Sequence, residues 1–431
     1  MSASPPRSPV DDCVHCGFCL PGCPTYLSWG HEEDSPRGRI HLIRALESGR
    51  IALDPEVAVH FDRCLGCMGC LTTCPSGVRF DLLLEETRAH IEREVPRPAS
   101  QAVLRRLVFS LFPYPGRLRL LLPLLWLAER TGLLALARRL PFLGRLRSLA
   151  SLAPPITVHH LTASLPALTS AVGARRLRVG LLTGCVQKVF FPGVNEATVR
   201  VLAAEGCEVV IPAGQGCCGA LSAHSGRDAE AREMARALIA RFEEAGVDRI
   251  VVNAAGCGST TKGYARLLGA EPAWRERAAA FASKTRDVSE LLAELPPIAK
   301  RHPVHARAAY HDACHLAHAQ GVRSQPRALL AGIPGLTLLE IPDGDQCCGS
   351  AGIYNIVEPD SAREVGERKV DNVLSVQPDL LVSANPGCTL QVQQILRERG
   401  KSLPAAHPIE LLDTSIGGRP LPGATPSSGS P

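Results

Sequence analysis

Eight cysteines fall into two runs of identical spacing, Cys13-x2-Cys16-x2-Cys19-x3-Cys23-Pro24 and Cys64-x2-Cys67-x2-Cys70-x3-Cys74-Pro75. A chain that must gather eight thiols into two tight groups has little conformational freedom left in its N-terminal part. This is the spacing of a [4Fe–4S] ligand run, in which three thiolates hold one cubane and the fourth, set back before a proline, reaches across to its neighbour. The spacing therefore assigns Cys13, Cys16, Cys19 and Cys74 to one cluster, and Cys64, Cys67, Cys70 and Cys23 to a second. The crossing locks both runs into one small unit and sets two redox centres side by side. Because C-x2-C is also a zinc knuckle, a pair of structural zinc sites is the competing reading. Two four-thiol runs, each closed by Cys-Pro, favour iron–sulfur.

The other nine of the 17 cysteines repeat too. Cys185, the pair Cys217-Cys218-Gly219 and Cys257 recur as Cys314, Cys347-Cys348-Gly349 and Cys388, at separations of 129, 130 and 131 residues. Self-similarity at a fixed period means a duplicated unit. Cys207 alone has no counterpart, and in Cys207-Glu208-Val209-Val210-Ile211 it reads as a small core residue. The β-branched runs Leu177 to Leu182, Glu208 to Ile211 and Arg249 to Val252 each lead into a cysteine-bearing loop, with a helical pattern from Asp228 to Ala245. Ala308 to Tyr310, Leu336 to Ile341, Leu380 to Ser383 and the helical stretch Ser361 to Leu374 form the matching set. Strands alternating with helices predict a mainly parallel sheet with all four thiols of a copy at one edge. Gly214-Gln215-Gly216-Cys217-Cys218-Gly219 also fits the dinucleotide pattern G-x-G-x-x-G. Its duplicate, Gly344-Asp345-Gln346-Cys347-Cys348-Gly349, drops the middle glycine and keeps the cysteines, so the stretch is read as a thiol loop.

The predicted fold class is α+β multidomain: an N-terminal α-helical ferredoxin-like di-cluster domain over 1–95, a Leu/Arg-rich helical linker over 96–176, and tandem α/β Cys-Cys-Gly modules over 177–300 and 301–416. A Ser/Pro-rich opening through Pro9 and a tail over 417–431 are expected to be disordered. The linker holds Leu120 to Leu122, Leu124-Leu125-Trp126-Leu127, Leu133 to Leu136 and Phe142-Leu143 among Arg117, Arg119, Arg130, Arg138, Arg139, Arg145 and Arg147. Its apolar run falls short of the roughly 20 residues that span a bilayer. A basic amphipathic segment lying on an anionic membrane and a helical linker packed on the modules or a partner are both compatible with it. The net charge of +5, without a basic stripe interleaved with aromatics, gives no sign of nucleic acid binding. The N-terminus has no charged n-region followed by an apolar signal segment, so so many cysteines point to a cytoplasmic protein, with peripheral attachment at the inner face of the membrane left open.

Motifs longer than ligation requires carry a resemblance: Cys13-Val14-His15-Cys16-Gly17-Phe18-Cys19, Pro24-Thr25-Tyr26, Pro36-Arg37-Gly38-Arg39-Ile40, Cys74-Pro75-Ser76-Gly77-Val78-Arg79 and the paired Cys-Cys-Gly modules. From about Asp11 to Leu411 the chain resembles the iron–sulfur subunit of glycolate oxidase, also called glycolate dehydrogenase. The wider group includes the lactate-utilisation iron–sulfur protein, the anaerobic glycerol-3-phosphate dehydrogenase small subunit and heterodisulfide reductases. The resemblance implies an electron-transfer subunit of an oxidoreductase acting on CH–OH donors. Glycolate would be oxidised to glyoxylate on FAD-binding partner subunits, and electrons would pass through the clusters here towards an acceptor such as quinone. No flavin or substrate site is recognisable in this chain. The alternatives are the same role beside a lactate or glycerol-3-phosphate dehydrogenase, or a catalytic heterodisulfide-reductase-like subunit. Members of the wider group often end each module in Cys-x2-Cys, whereas Thr260 follows Cys257 and Gln391 follows Cys388 at that spacing, which argues against a five-thiolate cluster. Four thiols per module, Cys185/Cys217/Cys218/Cys257 and Cys314/Cys347/Cys348/Cys388, can each hold a cluster or form a degenerate or quinone-related site.

Arg37, Arg39, Arg63 and Arg79 flank ligand loops, where positive charge would favour a reduced cluster; solvated arginines explain them as well. His15 and the histidines from His311 to His315 neighbour cysteines. A histidine beside Cys314 could replace the lost thiol of the second module, but His315 aligns with Val186 of the first copy and is read as a satisfied or surface side chain.

Overall fold

A computed structural model describes residues 8–140 and 145–421. The opening through Arg7, the Phe142-Leu143 pair and the tail beyond Leu421 lie outside the described residues.

The N-terminal unit is helical, built on Pro24–Trp29, Pro36–Glu47, Pro55–Asp62 and Phe80–Glu94. Local chemistry sets its boundaries. Ser35 Oγ accepts the Gly38 amide at 3.0 Å and Asp54 Oδ1 the Val57 amide at 2.9 Å, each ahead of a proline at the first helical turn. Gly30 ends the first helix in the left-handed conformation. Val10, Ile40, Ile43, Phe61, Leu84 and Ile91 form the core behind the cysteine loops. The linker forms helices Ala99–Leu111, Pro115–Arg130, Leu133–Arg139, Arg145–Leu152 and Val158–Thr162. Among the described residues no helix is long and apolar enough to cross a membrane.

The remainder is two sheets. The first contains β1 (Leu168–Thr169), β2 (Leu177–Leu182), β3 (Cys207–Val210), β4 (Arg249–Val252) and β5 (Thr285–Asp287) in the order β1-β3-β2-β4-β5. The second contains β6 (Ala306–His311), β7 (Leu336–Glu340), β8 (Leu380–Ser383) and β9 (Ala405–Ala406) in the order β7-β6-β8-β9. All pairings are parallel except that of β1, which runs antiparallel to β3. The helical patterns appear as Asp228–Ala245 and Pro359–Ser375. β1, β5 and β9, two or three residues each, are too short to give a period-2 signal, and β1 joins the sheet from upstream of residue 177.

The duplicated sheets share one core. Val179, Leu181, Val209 and Val251 of the first meet Ala308, Tyr310, Leu380 and Val382 of the second through intervening helices, and Cys207 lies fully buried there, as expected of a core residue. Helix Pro192–Ala204 packs on Pro408–Gly417, and Val288–Glu294 on Ser324–Ala331, so the copies are related by an approximate two-fold. Asp287 and His407 cap the equivalent helices Val288–Glu294 and Pro408–Gly417, each with a glutamate three residues on. Beyond the second helix, Arg419 pairs with Asp413 at 2.6 Å and Leu421 packs on the shared core, which ties the chain down past residue 417.

Candidate metal centres

Two residues in each N-terminal run are left-handed. His15 (φ 55°) and Gly17 (φ 87°) in the first run match Gly66 (φ 58°) and Met68 (φ 63°) in the second. A non-glycine residue in this region costs roughly 1–2 kcal/mol. That cost is the price of reversing the loop so that successive thiols face one point. Cys13, Cys16, Cys19 and Cys74 line one cavity with Ile40, Pro75 and Phe80. Cys23, Cys64 and Cys67 line a second with Thr25 and Arg39, and Cys70 and Phe80 border both. The fourth cysteine of each run thus stands in the cavity of the other.

In the modules the thiols lie beyond the carboxyl ends of parallel strands, beside the central strand where the chain reverses direction across the sheet, the usual place for a ligand in such folds. Gly184, left-handed at φ 71°, turns the chain out of β2 into Cys185, whose Sγ is 3.4 Å from that of Cys217. Cys185, Cys217, Cys218 and Cys257 share one apolar cluster with Tyr264, whose hydroxyl donates to the Cys218 carbonyl at 2.7 Å. In the second module Cys314, Cys347, Cys348 and Cys388 interact in that sequence and all four are buried. Asn385 Nδ2 donates to Cys388 Sγ at 3.3 Å.

These surroundings suit a metal. Burial pushes the Cys19 thiol up to about 11, and holds Cys67 and Cys70 well above the ordinary thiol range. A hydrogen bond with Cys217, then burial, does the same at Cys185; Cys347 and burial act alike on Cys314. Such thiols stay protonated unless a bound cation displaces the proton, which is how metal binding couples to thiol ionisation.

The four sets are not equally connected. Leu65 of the second run shares one apolar cluster with Cys314 and Cys347, and Cys67 packs on that cluster, which joins the N-terminal unit to the second module. Trp29 Nε1 to Glu364 at 2.9 Å and Gln346 Nε2 to the Pro21 carbonyl at 2.9 Å hold that junction. The first module meets the second through the His224 and His315 rings, 4.9 Å apart, and through Gln320 Nε2 on the Ala255 carbonyl.

Arg37 pairs with Glu32 and Arg79 with Asp81 at the surface. Arg39 differs: fully buried, it donates to the His60 carbonyl at 2.7 Å, to Thr25 Oγ1 at 3.3 Å and to Asp34, which also holds Arg63 at 3.3 Å. Thr25 Oγ1 lies 3.2 Å from Cys23 Sγ, so the ion pair braces the second cavity from behind. At the positions of the missing fifth thiols, Gln391 is locked by Asn355 and the Ala362 carbonyl, while Thr260 faces His224.

His315 is not the satisfied or surface group expected. Nε2 of His315 has no hydrogen-bond partner and its Nδ1 lies 3.5 Å from Cys314 Sγ. His311 is 1% exposed and burial lowers its pKa to about 3, with only the nearby Gly344 backbone acting against it; neither ring nitrogen makes a hydrogen bond of full geometry. One of its ring nitrogens, Cys348 Sγ and Cys388 Sγ lie within 4.8 Å of one another. Aligning the ends of the first strands of the two copies, Leu182 against His311, is the sequence signal that would have singled this residue out.

A helical unit with two cysteine-lined cavities, followed by paired α/β modules each presenting four thiols, defines a multicentre iron–sulfur protein. Family models agree: residues 9–78 match a 4Fe-4S dicluster domain, 179–262 and 308–393 a cysteine-rich domain, and 100–154 the linker region of the glycolate oxidase iron-sulfur subunit. The chain is 38% identical over 418 residues to the probable glycolate oxidase iron-sulfur subunit of Bacillus subtilis, covering 94% of each chain. It is 35% identical over 420 residues to the glycolate oxidase iron-sulfur subunit of Escherichia coli, covering 94% of this chain and 93% of that one. Lactate utilization protein A of an Exiguobacterium species is 31% identical over 241 residues, 55% of this chain and 98% of the relative. The chain belongs to the glycolate oxidase iron–sulfur subunit family.

Proposed function

We propose that the chain is the electron-transfer subunit of a glycolate dehydrogenase, taking electrons from an FAD-binding partner that oxidises glycolate to glyoxylate and passing them towards an acceptor such as quinone. The observation that carries this reading is the packing of Cys67 on the cluster that holds Cys314 and Cys347, which sets the second N-terminal thiol run beside the second module. Clusters supply one-electron steps, the complement of hydride removal by a flavin. On this reading Cys13, Cys16, Cys19 and Cys74 bind one [4Fe–4S] cluster and Cys64, Cys67, Cys70 and Cys23 the other. Cys185/Cys217/Cys218/Cys257 and Cys314/Cys347/Cys348/Cys388 bind further iron–sulfur centres, and 96–176 is a mainly helical segment between the di-cluster domain and the modules, ending in the strand β1 that joins the first module's sheet. Gln391, engaged on both ends of its amide, supports four thiols per module over a five-thiolate disulfide-cleaving cluster. Exposed Leu120, Leu124 and Leu127 lie along one side of the Pro115–Arg130 helix, near Arg117 and Arg119, and give a surface for peripheral attachment to the inner face of an anionic membrane.

The test is a separation of steps. In the complex co-expressed with its flavoprotein partner, Cys347→Ser/Cys348→Ser is expected to leave flavin bleaching by glycolate intact in rapid mixing while abolishing quinone reduction. Glycolate turnover by the purified chain alone, or loss of flavin bleaching in the assembled variant, overturns the reading.

A further inference from the structure

The duplication provides an internal comparison that separates the modules. Leu182 ends β2 and pairs with Val252; His311 ends β6 and pairs with Ser383 in the same register. The helices behind the Cys-Cys-Gly loops are matched by their contacts, Ala231 beneath Gly219 and Ala362 beneath Gly349. Seven residues further along each helix stand Leu238 and Lys369. Three apolar core residues of the first module, Leu182, Leu238 and Val252, are therefore replaced in the second by His311, Lys369 and Ser383, all 2% exposed or less.

An interior that uses leucine and valine in one copy has no packing reason to take imidazole, ammonium and hydroxyl in the other. Lys369 is accounted for: its Nζ donates to the Asp343 and Gly344 carbonyls at 2.7 and 3.1 Å, pinning the loop that carries Cys347 and Cys348. His311 is not. Leaving a buried polar group without a full hydrogen bond is destabilising. A metal bond would remove that cost, and a ring nitrogen of His311 and the two thiols already lie within 4.8 Å of one another, separations that one ion can bridge.

We propose that the second module is a mixed thiolate–imidazole iron site in which His311 ligates together with Cys348 and Cys388, whereas the first module binds through thiolates alone. The proposal rests on the reading that the modules hold iron. Where the imidazole takes the place of one of the four thiolates, the centre is less negative and its reduction potential higher, as with histidine ligation in other iron–sulfur proteins. The module that touches Cys67 would then be the more readily reduced of the two, an assignment the cysteine pattern alone gives no means of making.

The test uses the full chain, purified anaerobically with its iron and labelled with 15N-histidine, and pulsed EPR in the as-isolated and dithionite-reduced states. The wild type is expected to show the hyperfine coupling of a directly bound histidine nitrogen. H311L, which installs the residue of the first module, is expected to lose that coupling and part of the iron. H311C, which offers a thiolate instead, is expected to lose the coupling and keep the iron. A wild type that carries module iron without histidine-nitrogen coupling, or coupling that persists in H311L, overturns the proposal and leaves the reading of the modules standing. Iron that stops at about eight per chain, the content of two cubanes, overturns both.

Discussion

Gly349→Ala and Gly219→Ala make the same chemical change in the two Cys-Cys-Gly loops, yet the structure predicts unequal damage. Both glycines are left-handed, at φ 86° and 79°. Alanine therefore carries the same strain in each, roughly 1–2 kcal/mol. Space separates them. A Cβ on Gly219 would stand 3.1 Å from the Ala231 carbonyl oxygen, close but tolerable, whereas one on Gly349 would stand 2.2 Å from that of Ala362. The tighter approach arises because Gly366 in helix Pro359–Ser375 has no side chain to hold it off: a Cβ there would meet Ile395 at 2.4 Å and the Cys348 carbonyl at 3.0 Å. A helix backbone cannot step aside as a flexible side chain does, so overpacking adds about 1–3 kcal/mol at Gly349. The totals are about 2–5 kcal/mol for Gly349→Ala and about 1–2 for Gly219→Ala. For a unit of this size each kcal/mol moves the melting temperature by about 2–4 °C, so Gly349→Ala is expected to melt several degrees lower in anaerobic thermal unfolding followed by circular dichroism. It should also lose module iron first, because the displaced helix bears on Cys348. Equal melting of the two variants, or lower melting of Gly219→Ala, refutes the packing argument.

Three further outcomes are expected. Arg39→Met leaves the fully buried Asp34 with only His60 and Arg63; removing one partner of a buried ion pair costs about 3–5 kcal/mol, and early loss of iron from the second cavity on heating is the signature. Cys23→Ser is expected to alter the same EPR signal as Cys67→Ser, and Cys74→Ser the same one as Cys16→Ser; signals that pair by run would sink the crossed assignment. The equivalent caps Asp287 and His407 titrate in opposite senses. Burial raises Asp287 to about 6, above its unfolded value, so its contribution to stability falls as pH rises from about 4 to 6. Burial lowers His407 to about 3, so the unfolded chain takes up a proton first and stability falls as pH drops below about 6.5. Urea titrations between pH 4 and 7 should show Asp287→Asn removing the first slope and His407→Asn the second; an unchanged slope in either variant contradicts the assignment to that cap.

Thiol spacing is a local property, which is why the two N-terminal runs, the duplication and the thiol edge of each module were legible in the sequence. Strands such as Leu177–Leu182 and Leu380–Ser383 were equally visible, since a β-branched run feeding a glycine loop needs no tertiary partner to be recognised. β1, β5 and β9 exist only because a longer neighbour supplies their hydrogen bonds, so no window of their own residues reveals them. Tertiary packing alone decided three things. It brought Cys67 to the cluster of Cys314 and Cys347, 247 and 280 residues further along the chain, which joins the second run to the second module. It buried Arg39 with Asp34, turning one of four similar arginines into a brace for the second cavity. And it set a buried His311 beside Cys348 and Cys388 where the sister module has leucine. Ligand spacing follows from a few consecutive backbone dihedrals, whereas which buried side chain faces which thiol depends on how helices from distant parts of the chain fill the same volume.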